Sequence, residues 1–227
     1  MLTFTHDSGT FSLTPRHLAI AGWAGRDQDG VRHHIEELAE LGVKPPSATP
    51  LFYRVGREQL TQRGVVQMLG GHGSGEVEAC LVSDTEGCLW VTVASDHTDR
   101  KLEAVGVAES KQLCAKPVAG EAWRFDEVQP HWDQIELSSV IEEDGHTITY
   151  QLGTLAELLD VPTLLAQLPA PMASDGFLAP GCVLLCGTVP TRGGIRPSRH
   201  FSMLLHDPVL GRTLRHAYRI EELEVAQ

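Results

Sequence analysis

Three carboxylates near the middle of the chain have the residue types and spacing of ligands for a divalent metal ion. Glu76 and Glu78 are separated by one residue, so on a strand both side chains project from the same face. Two like charges this close need a cation, and hard ions such as Mg²⁺ and Mn²⁺ prefer oxygen ligands. Asp96 is the natural third ligand. The pattern predicts a Mg²⁺ or Mn²⁺ site on these carboxylates.

The Glu-x-Glu pair also has a non-functional interpretation. The chain has 30 acidic and 18 basic residues, and an acidic chain produces such pairs by chance. Glu222 and Glu224 repeat the same spacing near the C-terminus. From the spacing alone, a solvated strand face therefore remains the alternative to a metal site.

A histidine and a glutamate supply a candidate general base. His34 and Glu37 are three residues apart on a predicted helix and so lie on one face of it. A carboxylate in that position can orient an imidazole and raise its basicity. The alternative is that both residues belong to the solvated face of an amphipathic helix. This helix is predicted to run from Val31 to Leu41, with Asp29 as its cap and Gly42 at its end.

A β-hairpin is predicted to bring Asp96 to the two glutamates. A glycine-rich loop, 70–75, leads into a strand from Glu76 to Ser83, and Asp84–Gly87 has the composition of a turn. The return strand, Cys88–Ala94, runs back along the first one. Asp96 should therefore lie just beyond the start of the first strand, next to Glu76.

The rest of the chain is predicted to be mainly β-structure. Alternating residues on either side of Asp144-Gly145 predict a second hairpin, and Pro162 should split a helical stretch from Leu155 to Leu168. Further strands are predicted at Leu51–Val55, Val183–Thr188, Phe201–His206 and Thr213–Ile220. We find no internal repeat and no linker in the sequence, so one main domain is expected.

Composition restricts the location and the partners. A formal net charge of −12 opposes binding to nucleic acid or to an anionic membrane. The five cysteines include no Cys-x-x-Cys pair, which favours a reducing compartment. We find no run of about 20 apolar residues and no secretory signal, and therefore expect a cytoplasmic protein. A local basic cluster, which suits either a solvated loop or an anionic substrate, consists of Arg192, Arg196 and Arg199.

Taken in order, these motifs resemble the fumarylacetoacetate hydrolase superfamily across most of the chain, from about Ala19 to Leu223. Glu76-Val77-Glu78 matches the metal-binding Glu-x-Glu of that family. Ser95–Arg100 resembles its Asn-Asp-x-Ser-Ala-Arg segment. The first aspartate of that segment binds metal in the family and corresponds to Asp96 here.

Further matches lie on both sides of this central segment. His34-x-x-Glu37 resembles the family's His-x-x-Glu helix, and Lys116 falls where the family has a Gly-Lys-Ser lysine near the metal. Leu178-x-Pro180-Gly181 leads into Cys186–Pro190, which is similar to the family's Pro-Gly-Asp-x-Ile-x-x-Gly-Thr-Pro signature. The agreement in order and spacing carries the resemblance.

The resemblance implies an α+β fold that is predominantly β, a mixed β-sandwich roll with a few short helices. Residues 1–227 would form a single domain, with a short β appendage at 1–18, and the protein would be a homodimer. The family binds Mg²⁺ or Mn²⁺ and acts on small oxo acids. The implied activity is therefore that of a metal-dependent hydrolase that cleaves a carbon–carbon bond, or of a decarboxylase.

The resemblance also implies roles for individual side chains. One set of residues would hold the metal, a second set would move protons, and a third set would bind a small anionic substrate. These groups are, for the metal, Glu76, Glu78 and Asp96; for catalysis, His34, Glu37 and Lys116; and for the substrate, Arg100, Gly187, Thr188 and Arg192.

The chain departs from the family pattern in ways that affect the reaction more than the fold. The stretch between Glu78 and Asp96 is short, the usual Ser-Ala-Arg-Asp is replaced by 98–101, and the usual Gly-Asp after the Gly-Thr loop is replaced by 192–200. The substrate therefore cannot be carried over. Two alternatives stay open: a catalytically silent anion-binding protein of the same fold, and a metal-assisted lyase or isomerase.

Overall fold

A computed structural model describes residues 1–40 and 45–226 of the chain, without the side chains of His34, Glu37 and Leu38. The strands of the described residues are β1 (Leu2–His6), β2 (Gly9–Leu13), β3 (His17–Gly22), β4 (Leu51–Val55), β5 (Leu60–Thr61), β6 (Val65–Leu69), β7 (Gly73–Ser74), β8 (Val77–Ser83), β9 (Leu89–Ser95), β10 (Thr98–Asp99), β11 (Lys116–Pro117), β12 (Trp123–Arg124), β13 (Glu136–Glu143), β14 (His146–Thr154), β15 (Ala173–Ser174), β16 (Phe177–Leu178), β17 (Cys182–Leu185), β18 (His200–Asp207) and β19 (Arg212–Leu223).

Helices are short and few. The α-helices are α1 (Gln28–Glu40), α2 (Arg100–Glu103), α3 (Val107–Leu113), α4 (Phe125–Val128) and α5 (Val161–Gln167). Short 3₁₀ segments cover Arg57–Gln59, Gln129–Gln134 and Leu155–Glu157, the second of them kinked at His131. The predicted α+β fold, predominantly β with a few short helices, is confirmed.

Two larger sheets form the framework. One has six strands in the order β12-β9-β8-β17-β3-β4, and the other has five in the order β14-β13-β18-β19-β6. Neighbouring strands are antiparallel except for β17 with β3 and β19 with β6, which are parallel. Strands β8 and β9 of the first sheet pack against β13, β18 and β19 of the second. The two sheets therefore form a sandwich.

Strand β8 lies at the centre of this arrangement and is buried along its whole length. Its side chains alternate between two clusters, as the two-residue period of a strand requires. Ala79 and Leu81 belong to the core between the two sheets, whereas Cys80 and Val82 face a second core on the other side. The β1–β2 hairpin covers that second core with Phe4 and other apolar side chains. A carboxylate on β8 is consequently held away from solvent.

The turn between β8 and β9 is stabilised by the Asp84 carboxylate, which accepts hydrogen bonds from backbone amides of the turn. Its Oδ1 accepts hydrogen bonds from the amides of Glu86 and Cys88, both at 2.9 Å, and its Oδ2 accepts one from Trp90 Nε1. An aspartate that bonds to the backbone two residues ahead is a strong turn former. The resulting register pairs Val77 with Ser95, so the residues just outside this pair meet.

Helix α1 begins earlier than predicted. It starts at Gln28, because Asp27 Oδ1 accepts hydrogen bonds from the amides of Asp29 and Gly30. Asp27 thus satisfies the free amides of the first turn, and Asp29 lies inside the helix. The predicted end at Leu41 and Gly42 lies outside the described residues. Among the described residues, no helix has the length and apolar character needed to cross a bilayer.

Candidate metal centre

The three carboxylates predicted to bind a metal lie together. Ligand oxygens of Glu76, Glu78 and Asp96 are all within 4.8 Å of one another. The β8–β9 hairpin places them there, because the Asp96 amide donates to the Glu76 carbonyl at 2.9 Å, directly beyond the last pair of the ladder. Glu78 and Asp96 are 2% and 0% exposed. The prediction that Asp96 lies next to Glu76 is confirmed.

Glu78 is a buried acid with little positive charge near it. Its Oε2 accepts a hydrogen bond from the Gly187 amide at 2.7 Å. Burial raises the pKa of Glu78 well above its ordinary value, and the negative charges of Asp96 and Glu76 raise it further. The ionised form of Glu78 therefore needs an additional cation.

Two buried lysines each contact a different carboxylate oxygen of Asp96. Lys111 Nζ contacts Asp96 Oδ2 and lies 3.7 Å from Glu76 Oε2. Lys116 Nζ lies 3.2 Å from Asp96 Oδ1 and donates to the His97 carbonyl at 2.5 Å. Burial alone would raise the pKa of Asp96, but the two ammonium groups lower it overall. Asp96 is therefore held in its ionised form.

The two lysines differ in how firmly they hold their protons. Burial would lower the pKa of Lys111, but the carboxylates of Asp96 and Glu76 raise it above the ordinary value. For Lys116 burial dominates, and its pKa is lowered. Lys111 is a fixed positive charge, whereas Lys116 gives up its proton more readily.

Arg100 is bound by protein groups on three sides. Its Nη2 lies 3.0 Å from Glu76 Oε1, its Nη1 donates to Glu103 Oε2 at 2.8 Å, and its Nε donates to Ser74 Oγ at 2.6 Å. These carboxylates raise its pKa against the effect of burial. Arg100 thus lies at the site, where it neutralises Glu76.

The donor set fits a hard divalent ion. Three carboxylates converge, Glu78 has no salt bridge among the described residues and only the more distant charge of Lys111 to offset its own, and Asp96 Oδ1 is buried without a well-aligned hydrogen bond despite the nearby Lys116. Oxygen ligands of this kind are those that Mg²⁺ and Mn²⁺ prefer. Lys111 competes most directly with an ion, because its ammonium contacts Asp96 and approaches Glu76. Lys116 and Arg100 also contact one of these carboxylates each.

The predicted Gly187-Thr188 loop is fixed to β8 by a buried glutamine. Gln151 donates to Thr188 Oγ1 and to the Val189 carbonyl, both at 2.7 Å, and its Oε1 accepts from the Val77 amide at 2.9 Å. Thr188 Oγ1 in turn donates to the Val77 carbonyl. The Thr188 hydroxyl therefore has protein partners on both sides, and it holds the loop that carries the Gly187 amide.

Gly187 has a conformation that favours glycine. Its φ is +96°, and a Cβ there would lie 2.9 Å from the Cβ of Ala24. Only glycine lets the backbone amide reach Glu78 in this position.

The remaining predicted site residues are less closely placed. Arg192 is exposed, and its described contacts are backbone hydrogen bonds with Tyr150 and with the guanidinium of Arg196. His34 and Glu37 lie in α1, but their side chains are outside the described set, so their role stays a prediction.

Sequence reasoning missed Lys111. The helical segment after β10 is divided into α2 and α3, because Gly106 has an extended backbone and starts α3. Lys111 lies four residues after Val107 and thus on the same face of α3. The buried residues of α3 are Ser110 and Lys111. Its apolar Val107 is half-buried and Leu113 is exposed, so hydrophobic periodicity gave no signal for Lys111.

A cavity of about 370 Å³ lies beside the site but does not include it. Its lining contains His97, Asp99, Arg199 and Glu222, and none of the three carboxylates. We place the candidate site at the carboxylates, because the charge and the buried ligand atoms are concentrated there.

Comparison with protein families identifies the chain's relatives. A family model described as "Protein of unknown function (DUF2848)" matches residues 21–218. The chain belongs to the DUF2848 family. No curated protein matches it.

Solved structures show the fold of this DUF2848 protein. The structure of Cg1458 has a TM-score of 0.64 at 13% identity, and the match covers 93% of this chain and 78% of that one. The 2-keto-3-deoxy-D-arabinonate dehydratase complexed with magnesium and 2,5-dioxopentanoate has a TM-score of 0.63 at 14% identity, covering 93% and 74%. The 4-oxalocrotonate decarboxylase of Pseudomonas putida G7, complexed with calcium and acetate, has a TM-score of 0.58 at 16% identity, covering 92% and 78%. At these identities the likeness establishes the fold.

Proposed function

We propose that this DUF2848 protein is a divalent-metal-dependent enzyme acting on a small oxo acid, with Glu76, Glu78 and Asp96 as the metal ligands. The observation that carries the proposal is the convergence of three carboxylates, two of them fully buried, within 4.8 Å. A dehydratase complexed with magnesium and a decarboxylase complexed with calcium share the fold, which supports a metal role for the cluster.

The chemistry follows from the charges around the cluster. A bound Mg²⁺ or Mn²⁺ would supply Lewis acidity toward the adjacent oxo and carboxylate oxygens of an oxo acid, and would stabilise enolate charge as it develops. Lys111, which keeps its proton, offers a fixed positive charge to a small anionic substrate. Lys116, whose pKa is lowered, is the described side chain best suited to hold or release a proton at its Nζ. Arg100 pairs with the Glu76 carboxylate at 3.0 Å.

Within this class we propose decarboxylation ahead of hydrolytic carbon–carbon cleavage. The solved structures of this fold include a decarboxylase and a dehydratase, and both names indicate lyase chemistry on oxo acids. A general base that activates water for hydrolysis would be His34 with Glu37. The homodimer and the cytoplasmic location implied by the sequence stay predictions.

One observation favours a second candidate. The Lys111 ammonium already contacts Asp96 and approaches Glu76, so a lysine can neutralise part of the cluster without an ion. A catalytically silent, anion-binding protein of the same fold would therefore need no metal ion at these carboxylates. Metal titration separates the two candidates.

The test compares Glu78→Gln with Glu224→Gln, both titrated with Mg²⁺ and Mn²⁺ by calorimetry after treatment with chelator. Glu224 belongs to the other Glu-x-Glu pair and is exposed at the end of the chain, so its variant controls for loss of one acidic group. We expect wild type and Glu224→Gln to bind one equivalent and Glu78→Gln to bind much more weakly. Carbon dioxide release from a panel of oxo acids then tests decarboxylation. Absence of metal binding by wild type would support the silent protein.

A further inference from the structure

The residues on either side of Asp96 are joined by one tyrosine hydroxyl. Tyr218 OH lies 2.8 Å from Ser95 Oγ and 2.9 Å from His97 Nδ1. We infer that Tyr218 is a positioning residue, which fixes Asp96 as a metal ligand without contacting the metal. The inference rests on the proposed function, because it assigns a role at the same site.

Alternation along the chain explains how such a contact acts. Successive side chains of an extended segment point to opposite sides, so Ser95 and His97 face Tyr218 while Asp96 faces the other carboxylates. The peptide units of Asp96 are also bound. Its amide donates to the Glu76 carbonyl, and its carbonyl accepts from Thr98 Oγ1 at 3.1 Å. Displacement of the Asp96 backbone away from the cluster would break these contacts.

Tyr218 is itself rigidly held. It is 3% exposed on β19, and its ring packs against Phe201 with the ring centroids 5.5 Å apart. The ring of His97 meets Tyr218 edge-on, and its other edge lies against Gly73, where an added Cβ would overlap His97 Nε2. The hydroxyl therefore connects the five-stranded sheet to the end of β9, just at the metal ligand.

The three ligands are held in different ways. Glu78 lies within β8 and is bound by the Gly187 amide, and Glu76 is bound by Arg100. Asp96 lies beyond the end of β9, and its side-chain contacts in the described residues are with the ammonium groups of two lysines. Substitution of residues that position a metal ligand without contacting the metal commonly lowers metal affinity by about 10- to 100-fold.

The test is Tyr218→Phe, with Tyr150→Phe as a matched control. Tyr150 is a fully buried tyrosine in the same sheet, and its ring contacts the same Phe201. Its hydroxyl accepts from the Arg196 amide at 3.2 Å, in the loop after β17. Both variants lose one buried hydroxyl, but only Tyr218→Phe loses the contacts around Asp96. Mn²⁺ affinity by calorimetry and the electron paramagnetic resonance spectrum of bound Mn²⁺ are measured for both.

We expect Tyr218→Phe to bind Mn²⁺ about 10- to 100-fold more weakly and to change the Mn²⁺ spectrum, with Tyr150→Phe like wild type. Equal affinities and spectra for both variants would overturn the inference and leave the metal site intact. Equal weakening in both would also overturn it, because loss of a buried hydroxyl would then suffice. If wild type binds no Mn²⁺, the proposed function fails, and the inference fails with it. Should Tyr218→Phe not fold, Ser95→Ala removes one of the two contacts and is expected to weaken binding less.

Discussion

Glu78→Gln should change the pH dependence of stability in a way that reports directly on the buried carboxylate. In the native protein without metal, burial and two neighbouring negative charges raise the pKa of Glu78 above its ordinary value of 4.5. The native state therefore binds more protons than the unfolded state above pH 4.5. By linkage, the contribution of Glu78 to stability falls as pH rises from 4.5 to the native pKa.

The size of this effect follows from the same linkage. One proton bound in the native state and not in the unfolded state changes the free energy of unfolding by about 1.4 kcal/mol per pH unit. Glutamine has nearly the same shape, and its carbonyl oxygen can still accept from the Gly187 amide. The free energy of unfolding of Glu78→Gln minus that of wild type should thus rise by up to about 1.4 kcal/mol per pH unit. It should level off above the native pKa of Glu78.

The assay is urea unfolding of both proteins with chelator at half-unit intervals from pH 5 to pH 9. His97 is neutral when buried, with a pKa lowered to about 3 by burial and the nearby charges of Lys116 and Arg100. It makes both proteins less stable as pH falls below 6.5, and this contribution cancels in the difference. If the two free energies of unfolding differ by the same amount at every pH, the reasoning is refuted, since Glu78 would then be ionised at its ordinary pKa. With saturating Mg²⁺, wild type alone should gain stability at high pH.

Two further substitutions test other parts of the site. Lys111→Met leaves buried Asp96 with one ammonium fewer, so urea unfolding with chelator should show a free energy of unfolding lower by about 3–5 kcal/mol. Mg²⁺ should stabilise this variant more than wild type, and an equal response to Mg²⁺ would mean that the lysine does not compete with the ion. Gly187→Ala should cost about 1–3 kcal/mol more than Gly194→Ala, because both glycines have positive φ but only the first would place its Cβ against Ala24; equal losses would show that the close contact is unimportant.

The acidic cluster could be predicted from sequence because it depends on local geometry. Glu76 and Glu78 share a face by the two-residue period of a strand, and the Asp84 turn fixes the hairpin that returns Asp96 to them. Glycines and prolines also indicated most of the strand and helix breaks. Where helix bounds were wrong, the local capping differed: Asp27 rather than Asp29 binds the first amides of α1.

The supporting residues could not be predicted, because their partners are distant in sequence. Gln151 binds groups of Val77 and Thr188, and Tyr218 binds Ser95 and His97. Nothing in the residues around Gln151 or Tyr218 indicates which strand will lie beside them. Such contacts are set by the packing of one sheet on the other, and only the folded chain reveals them.

The most direct test of the central claim is the anomalous scattering of Mn²⁺ in crystals of this protein. We expect one strong peak within about 2.0–2.3 Å of oxygens from Glu76, Glu78 and Asp96, with Lys111 Nζ moved away from Asp96. Crystals that show no peak at these carboxylates under saturating Mn²⁺, with Lys111 still in contact with Asp96, would contradict the assignment of a metal centre.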